Sequence, residues 1–292
     1  MPHSFLSAVL IAIAVLAPRS HAAGLSTRLG TGTFELAVRI DESGAVVVPV
    51  SINGLGPFPF LLDTGSSHSV VSQSLVQQLA LRVVAKTSVL TSTGREWRRV
   101  VTLDETMIGV ERSEGILATV TPSAQLEVIA RGIEGIIGQD FLFELNYTLD
   151  YRRKRFTWND GRFDAGGTRV PLIAQAGRYL VQVAGADQEP PMLLVPDTGA
   201  SGFVAYERNG RTRLTLKAVT GATAVHSLSG EQIVRTMMLR DLRLGDLTLK
   251  DQAVAVVARD PNDVVEGDGV LPLHLFASVS FNAREPCLVL RR

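Results

Sequence analysis

Two triplets hold the residues of this chain best suited to chemistry. Asp63-Thr64-Gly65 stands in Phe60-Leu61-Leu62-Asp63-Thr64-Gly65-Ser66-Ser67, and Asp197-Thr198-Gly199 stands in Leu193-Leu194-Val195-Pro196-Asp197-Thr198-Gly199-Ala200-Ser201. A carboxylate at the end of an apolar strand is costly to bury unless it is hydrogen-bonded or neutralised. The glycine behind it lets backbone amides approach, and the threonine hydroxyl can bond across to a partner turn. One such triplet is weak evidence, since about 0.1 copies arise by chance and an Asx-type turn accounts for it. Two copies in matched surroundings need another explanation. Glu134-Gly135-Ile136-Ile137 recurs as Asp268-Gly269-Val270-Leu271, at the same distance after its aspartate. Thr93-Gly94 with Ile108-Gly109 recurs, again equally spaced, as Ser229-Gly230 with Leu244-Gly245. The chain is an internal duplication. If the two units pack about a pseudo-twofold axis, Asp63 and Asp197 meet. Two carboxyls that close cannot both ionise, so they share a proton. One can act as general base on a water while the other protonates a carbonyl oxygen or leaving nitrogen. That chemistry hydrolyses a peptide bond with neither metal nor cofactor.

The elements that must hold these turns are strands. Phe34, Leu36, Val38 and Ile40 alternate, Asp41-Glu42-Ser43-Gly44 makes a turn, and Val46 to Ile52 continues as a strand. Asn53-Gly54 and Gly56-Pro57 turn the chain again, and Phe58 to Leu62 runs into Asp63. Tyr179 to Val183 and Met192 to Val195 repeat the plan before Asp197. Helix signals are few: Ser72 caps one carrying Leu75, Val76 and Leu79, and Asp140 opens another through Leu145. The glycine-rich stretch from Asp160 to Thr168 reads as a linker. The expected architecture is all-β, with two pseudo-twofold-related lobes over 24–160 and 161–292 and a few short helices.

Composition narrows the function. The chain has 292 residues, 29 Lys+Arg against 29 Asp+Glu, 46% hydrophobic residues and one cysteine, Cys287. Zero net charge argues against nucleic acid as a partner, and the basic run Arg152-Arg153-Lys154-Arg155 reads as a solvated hairpin tip. A single cysteine excludes an internal disulfide. His68, His226 and His274 show no metal-ligand spacing, so no metal is expected. Phe5 to Ala17 is an apolar run too short for the roughly 20 residues of a spanning helix. Followed by Ser20-His21-Ala22-Ala23, it reads as a signal peptide over 1–23. The mature protein is then expected to be exported, periplasmic or secreted, without stable membrane association.

On these residues the chain resembles an aspartic protease of the pepsin/retropepsin superfamily in its single-chain, two-lobed form. Leu61-Leu62-Asp63-Thr64-Gly65-Ser66 with Ile136-Ile137-Gly138 fits the family motif of the first lobe. Asp197-Thr198-Gly199-Ala200 fits that of the second, although Pro196 precedes the aspartate and Pro272 stands where the family has glycine after Val270-Leu271. The resemblance implies retropepsin-like β-barrel lobes, Asp63 and Asp197 as the catalytic pair, and Thr64, Gly65, Thr198 and Gly199 in the network beneath it. It gives Ser66 a hydroxyl near Asp63 and leaves Ala200 with none, so Asp197 is expected to carry the shared proton. It places substrate-covering flap hairpins around Thr93, Gly94 and Trp97 in the first lobe and around Gly230 in the second. The implied activity is an exported endopeptidase, acting as a monomer on a peptide or protein held in extended conformation, with no cofactor. The alternative, suggested by the two prolines, is a catalytically impaired peptide-binding module derived from such an enzyme.

Overall fold

The computed structural model describes residues 7–8, 33–91, 94–159, 166–185, 191–228, 230–259 and 267–292. Of the segment read as a signal peptide, only Ser7 and Ala8 are among them, in a short strand parallel to Val225–His226. Residues 160–165, within the expected linker, lie outside the described set.

The fold is all-β, built on two sheets with three short α-helices among the described residues. The eight-stranded sheet belongs to the first lobe. The apolar strand Val46–Ile52 turns through Asn53-Gly54, both at positive φ, and pairs antiparallel with Leu55–Leu62. Val46–Ile52 also pairs with the long strand Gly94–Ile108, which closes the sheet on itself. Inside lie Val46, Val48, Val50, Ile52, Phe60, Leu62, Val101 and Leu103, none more than 1% exposed. The strand Gly135–Ile137 runs parallel to Phe60–Leu62 at the sheet's centre, so the repeated Gly-Ile-Ile segment lies beside the strand that delivers Asp63.

The fourteen-stranded sheet is of mixed origin. Its second-lobe part repeats the plan: Arg178–Val183 pairs antiparallel with Met192–Asp197, and Gly269–Pro272 runs parallel to Leu194–Asp197. Its remainder joins the lobes. Phe34–Ala37, Tyr147–Asp150 and Arg155–Trp158 from the first half are hydrogen-bonded in one ladder with Ser278–Asn282, Cys287–Arg291 and Thr168–Gln175 from the second. Tyr147, Phe156, Trp158 and Phe281 stack over this ladder, with ring centroids 4.5–5.8 Å apart. The Trp158 indole donates to Ile108 O at 2.6 Å, so the joining sheet is also tied to the first barrel. Such a floor makes the separation of the two aspartates a property of packing rather than of linker length.

The helices hold local positions. Ser72 caps Gln73–Gln78, its hydroxyl accepting from Leu75 N–H, while Leu75 and Val76 face the core. The helix expected from Asp140 runs over Gln139–Leu142 and stops short of Leu145, because Phe143 is already extended. Ser123–Ile129 is a further helix, entered from Pro122 with no side-chain cap. Arg152–Lys154 lie in the tight turn between Tyr147–Asp150 and Arg155–Trp158, with Lys154 at positive φ, as its exposed sequence suggests.

Candidate active site

Each aspartate ends a strand and is followed by a turn whose amides fold back onto it. Gly65 and Ser66 N–H both donate to Asp63 Oδ1 at 2.9 Å. Gly199 and Ala200 N–H donate to Asp197 Oδ1 at 2.7 and 3.1 Å. Beneath them the threonines interlock. Thr64 Oγ1 donates to Pro196 O at 2.7 Å and accepts from Thr198 N–H at 3.1 Å. Thr198 Oγ1 donates to Leu62 O at 2.6 Å and accepts from Thr64 N–H at 3.1 Å. Four buried backbone groups are satisfied across the lobe boundary by two hydroxyls, which fixes one turn against the other. Pro196 and Pro272 are accommodated: Pro196 contributes its carbonyl to this lattice, and Pro272 lies opposite Asp197 at the end of its ladder.

The carboxyls are fully buried and face each other. A Cβ on Gly65 would overlap Asp197 Oδ2, and one on Gly199 would lie 3.2 Å from Asp63 Cγ, so each glycine makes room for the opposite acid. The Oδ2 atoms, unlike Oδ1, receive no protein donor. Burial, the Asp197 charge and the hydrogen bond to Asp197 hold Asp63 well above the usual carboxylate range. Burial raises Asp197 only to about 6, because the Gly199 amide, the Asp63 side chain, the Ala200 amide and the Arg178 guanidinium favour its ionised form. Both acids thus sit above the usual carboxylate range, so the two share one proton as a unit.

The hydroxyl expected to favour ionised Asp63 is engaged elsewhere. The Ser66 hydroxyl donates to His68 O at 2.8 Å and is committed there, so only the Ser66 backbone amide serves Asp63. A residue the sequence analysis did not single out is Arg178, a buried cation whose Nη2 donates to Ser67 Oγ at 3.2 Å. Others missed are Gln139, whose Nε2 donates to Thr64 O at 2.8 Å, and Tyr151, whose buried hydroxyl feels the Asp197 charge. Asp140, at the start of the Gln139–Leu142 helix, accepts from Ser69 N–H and Oγ at 2.7 and 2.6 Å and so ties that helix to the chain just after the first turn.

The flap residues are less closely placed. Thr93 lies outside the described residues, Gly94 opens the Gly94–Ile108 strand, and Trp97 on that strand is 74% exposed. In the second lobe, Gly230 opens Gly230–Leu244, at φ +116°. This strand pairs with Leu216–Ser227 in a long hairpin whose tip residue Leu228 packs among Ala45, Val47, Leu61, Val70 and Ile136 of the first lobe. The second hairpin thus crosses the lobe boundary beside the strand that delivers Asp63.

A two-lobed, all-β molecule with one Asp-Thr-Gly turn from each lobe has the retropepsin-like architecture. The sequence profile of the aspartyl protease family matches twice, over residues 48–141 and 181–272. The chain belongs to this family, and each match spans one Asp-Thr-Gly turn and its Gly-hydrophobic-hydrophobic strand. Among solved structures it is similar to a retropepsin-like aspartic protease from Rickettsia conorii, at 16% identity and a TM-score of 0.32, covering 45% of this chain and 94% of that one. No curated protein matches the sequence.

Proposed function

We propose that the protein is an exported aspartic endopeptidase whose single chain supplies both acids, Asp63 and Asp197, of one proton-sharing pair. The observation that carries this reading is the pair itself: two fully buried carboxyls, interlocked by their threonines and both pushed above the usual carboxylate range. In the reaction, the ionised acid of the pair takes a proton from a water as its oxygen bonds to the peptide carbonyl carbon. The protonated acid gives its proton to the carbonyl oxygen, leaving a neutral geminal diol. Proton return through the pair then places a proton on the amide nitrogen, the C–N bond breaks, and the diol becomes the new carboxyl.

Substrate is an extended peptide or protein segment lying between the lobes. Export rests on the apolar run Phe5–Ala17 and the small residues after it, and places the enzyme in the periplasm or outside the cell. One chain already holds both halves of the site, so the active species is a monomer.

Digestion of a peptide library by the purified protein at several pH values, with and without pepstatin, tests this. Cleavage at internal bonds that pepstatin suppresses is the expected result. Peptide binding without cleavage at any pH would instead identify the impaired binding module.

A further inference from the structure

The first-lobe sheet carries an apolar face that its own barrel core does not use. Successive side chains of a strand leave on opposite faces, and four neighbouring strands obey this together. Val46, Val48, Phe60, Leu62, Val71 and Ile137 point into the barrel core. Between them, Val47, Leu61, Val70 and Ile136 join a separate cluster on the other side. These four are register neighbours: Val47 and Ile136 both pair with Leu61, and Ile136 pairs with Val70. Leu61 stands two residues before Asp63, so this is the face from which the Asp63 carboxyl leaves the sheet. Leu126, Ile129 and Ile133 of the same lobe belong to the cluster. It is completed from the other lobe by Leu228, 6% exposed at the tip of the Leu216–Leu244 hairpin.

Resting on the aspartyl protease reading, we infer that Leu228 is a built-in competitor of the substrate: in the free protein it fills the pocket beside Asp63 that an aliphatic substrate side chain must enter. An extended peptide alternates its side chains, and one laid over Asp63 sets a side chain on the apolar face that adjoins it. What the pocket accepts is shown by what it holds, a single leucine side chain delivered by a hairpin. An aliphatic substrate side chain regains those contacts, whereas a carboxylate or ammonium would have to shed its water among valine, leucine and isoleucine. Two polar contacts at the tip stay within the hairpin: Ser227 Oγ donates to Gly230 O at 3.2 Å, and His226 Nδ1 meets Glu231 Oε2 at 3.5 Å. A cavity of about 290 Å³, lined in part by Ile129, Ala130 and His226, lies beside the tip, so the docked hairpin is not packed in along that edge. The second lobe closes the corresponding face itself. Val204 and Val270, which repeat Val70 and Ile136, cluster with Val225 and Val234 of their own lobe. The competitor therefore acts on one side of the pair.

The test separates this inference from the activity. Binding is measured in the Asp63→Asn protein, by fluorescence anisotropy of a dye-labelled Ala-Ala-Leu-Ala-Ala peptide and of its Ala-Ala-Asp-Ala-Ala counterpart. Adding Leu228→Ala removes the competitor, so the leucine peptide is expected to bind about tenfold tighter, the lower end of what burying one leucine side chain is worth. The aspartate peptide should stay weak in both proteins. Leu228→Gln, which keeps the length of the side chain but not its apolar character, serves if Leu228→Ala does not fold, and should tighten binding in the same sense. In protein labelled on its leucine methyl groups, the NMR signals that vanish in Leu228→Ala belong to Leu228. The leucine peptide must move them as it binds, and the aspartate peptide at the same concentration must not. Unchanged or weaker binding of the leucine peptide by both Leu228 variants would overturn the inference, because a tip that only clasps substrate loses affinity when it is altered. Equal affinity for the two peptides, or no binding of either, would overturn it as well. Tighter binding by Leu228→Ala, beside a wild-type protein that cleaves nothing, would keep the role of Leu228 and remove the peptidase reading.

Discussion

Asp63→Asn and Asp197→Asn are each expected to lower kcat for peptide cleavage by about 10²–10⁴-fold, the contribution of a positioned general acid or base. The fold should survive both changes. Asn Oδ1 can accept the same two turn amides, from Gly65 and Ser66 in one case and from Gly199 and Ala200 in the other. The threonine lattice beneath does not use either carboxyl. Either change leaves a single carboxyl, which cannot both accept the proton of the water and protonate the carbonyl oxygen. Circular dichroism and thermal melting establish the fold, and initial rates on a cleaved peptide establish the loss. Near-normal turnover by a well-folded Asp197→Asn protein would end the paired-acid account.

The second large effect is steric and unequal between the lobes. Gly65→Ala puts a methyl group where Asp197 Oδ2 lies, and Asp197 cannot yield without breaking its bonds to Gly199 and Ala200 N–H. Displacing a reacting group by about 1 Å costs on the order of 10²-fold in rate, so kcat/KM is expected to fall by at least that much. Overpacking so close a site should also cost about 1–3 kcal/mol of stability. Gly199→Ala is the internal control. Its Cβ would lie 3.2 Å from Asp63 Cγ, a contact that a shift of a few tenths of an ångström relieves, and the loss should be roughly tenfold or less. Equal activities for the two alanine variants, measured beside their melting temperatures, would contradict the close approach of Asp197 to the first turn.

Much of this was legible in the sequence because the duplication exposes it. Two identical triplets with equally spaced partners, Gly135-Ile136-Ile137 and Gly269-Val270-Leu271, fix both the motif and the strand beside it, and the parallel pairings join those segments. Alternation in Phe34–Ile40 and the Val46–Ile52 run mark strands, and Ser72 marks a helix start that its hydroxyl then caps. What stayed hidden depends on partners distant in the chain. No local pattern says that Phe34–Ala37 will share a ladder with Cys287–Arg291 through three intervening strands. Ser123–Ile129 begins at Pro122 without the Ser, Thr or Asp cap that would announce it. The Ser66 hydroxyl follows Asp63 closely in sequence, yet it donates to the His68 carbonyl. Arg178 has the form of any exposed strand arginine. Only its Ser67 partner, 111 residues earlier in the chain, sets it apart.

The most direct test of the central claim, that one chain carries a complete pair, is a mixing experiment. Asp63→Asn and Asp197→Asn proteins are assayed separately and after unfolding and refolding together, beside wild type treated the same way. If both acids must come from one chain, the mixture stays as inactive as its parts while wild type cleaves. Recovery of up to a quarter of wild-type activity in the mixture, the statistical share of sites rebuilt from two intact lobes, would contradict it and assign the site to a dimer.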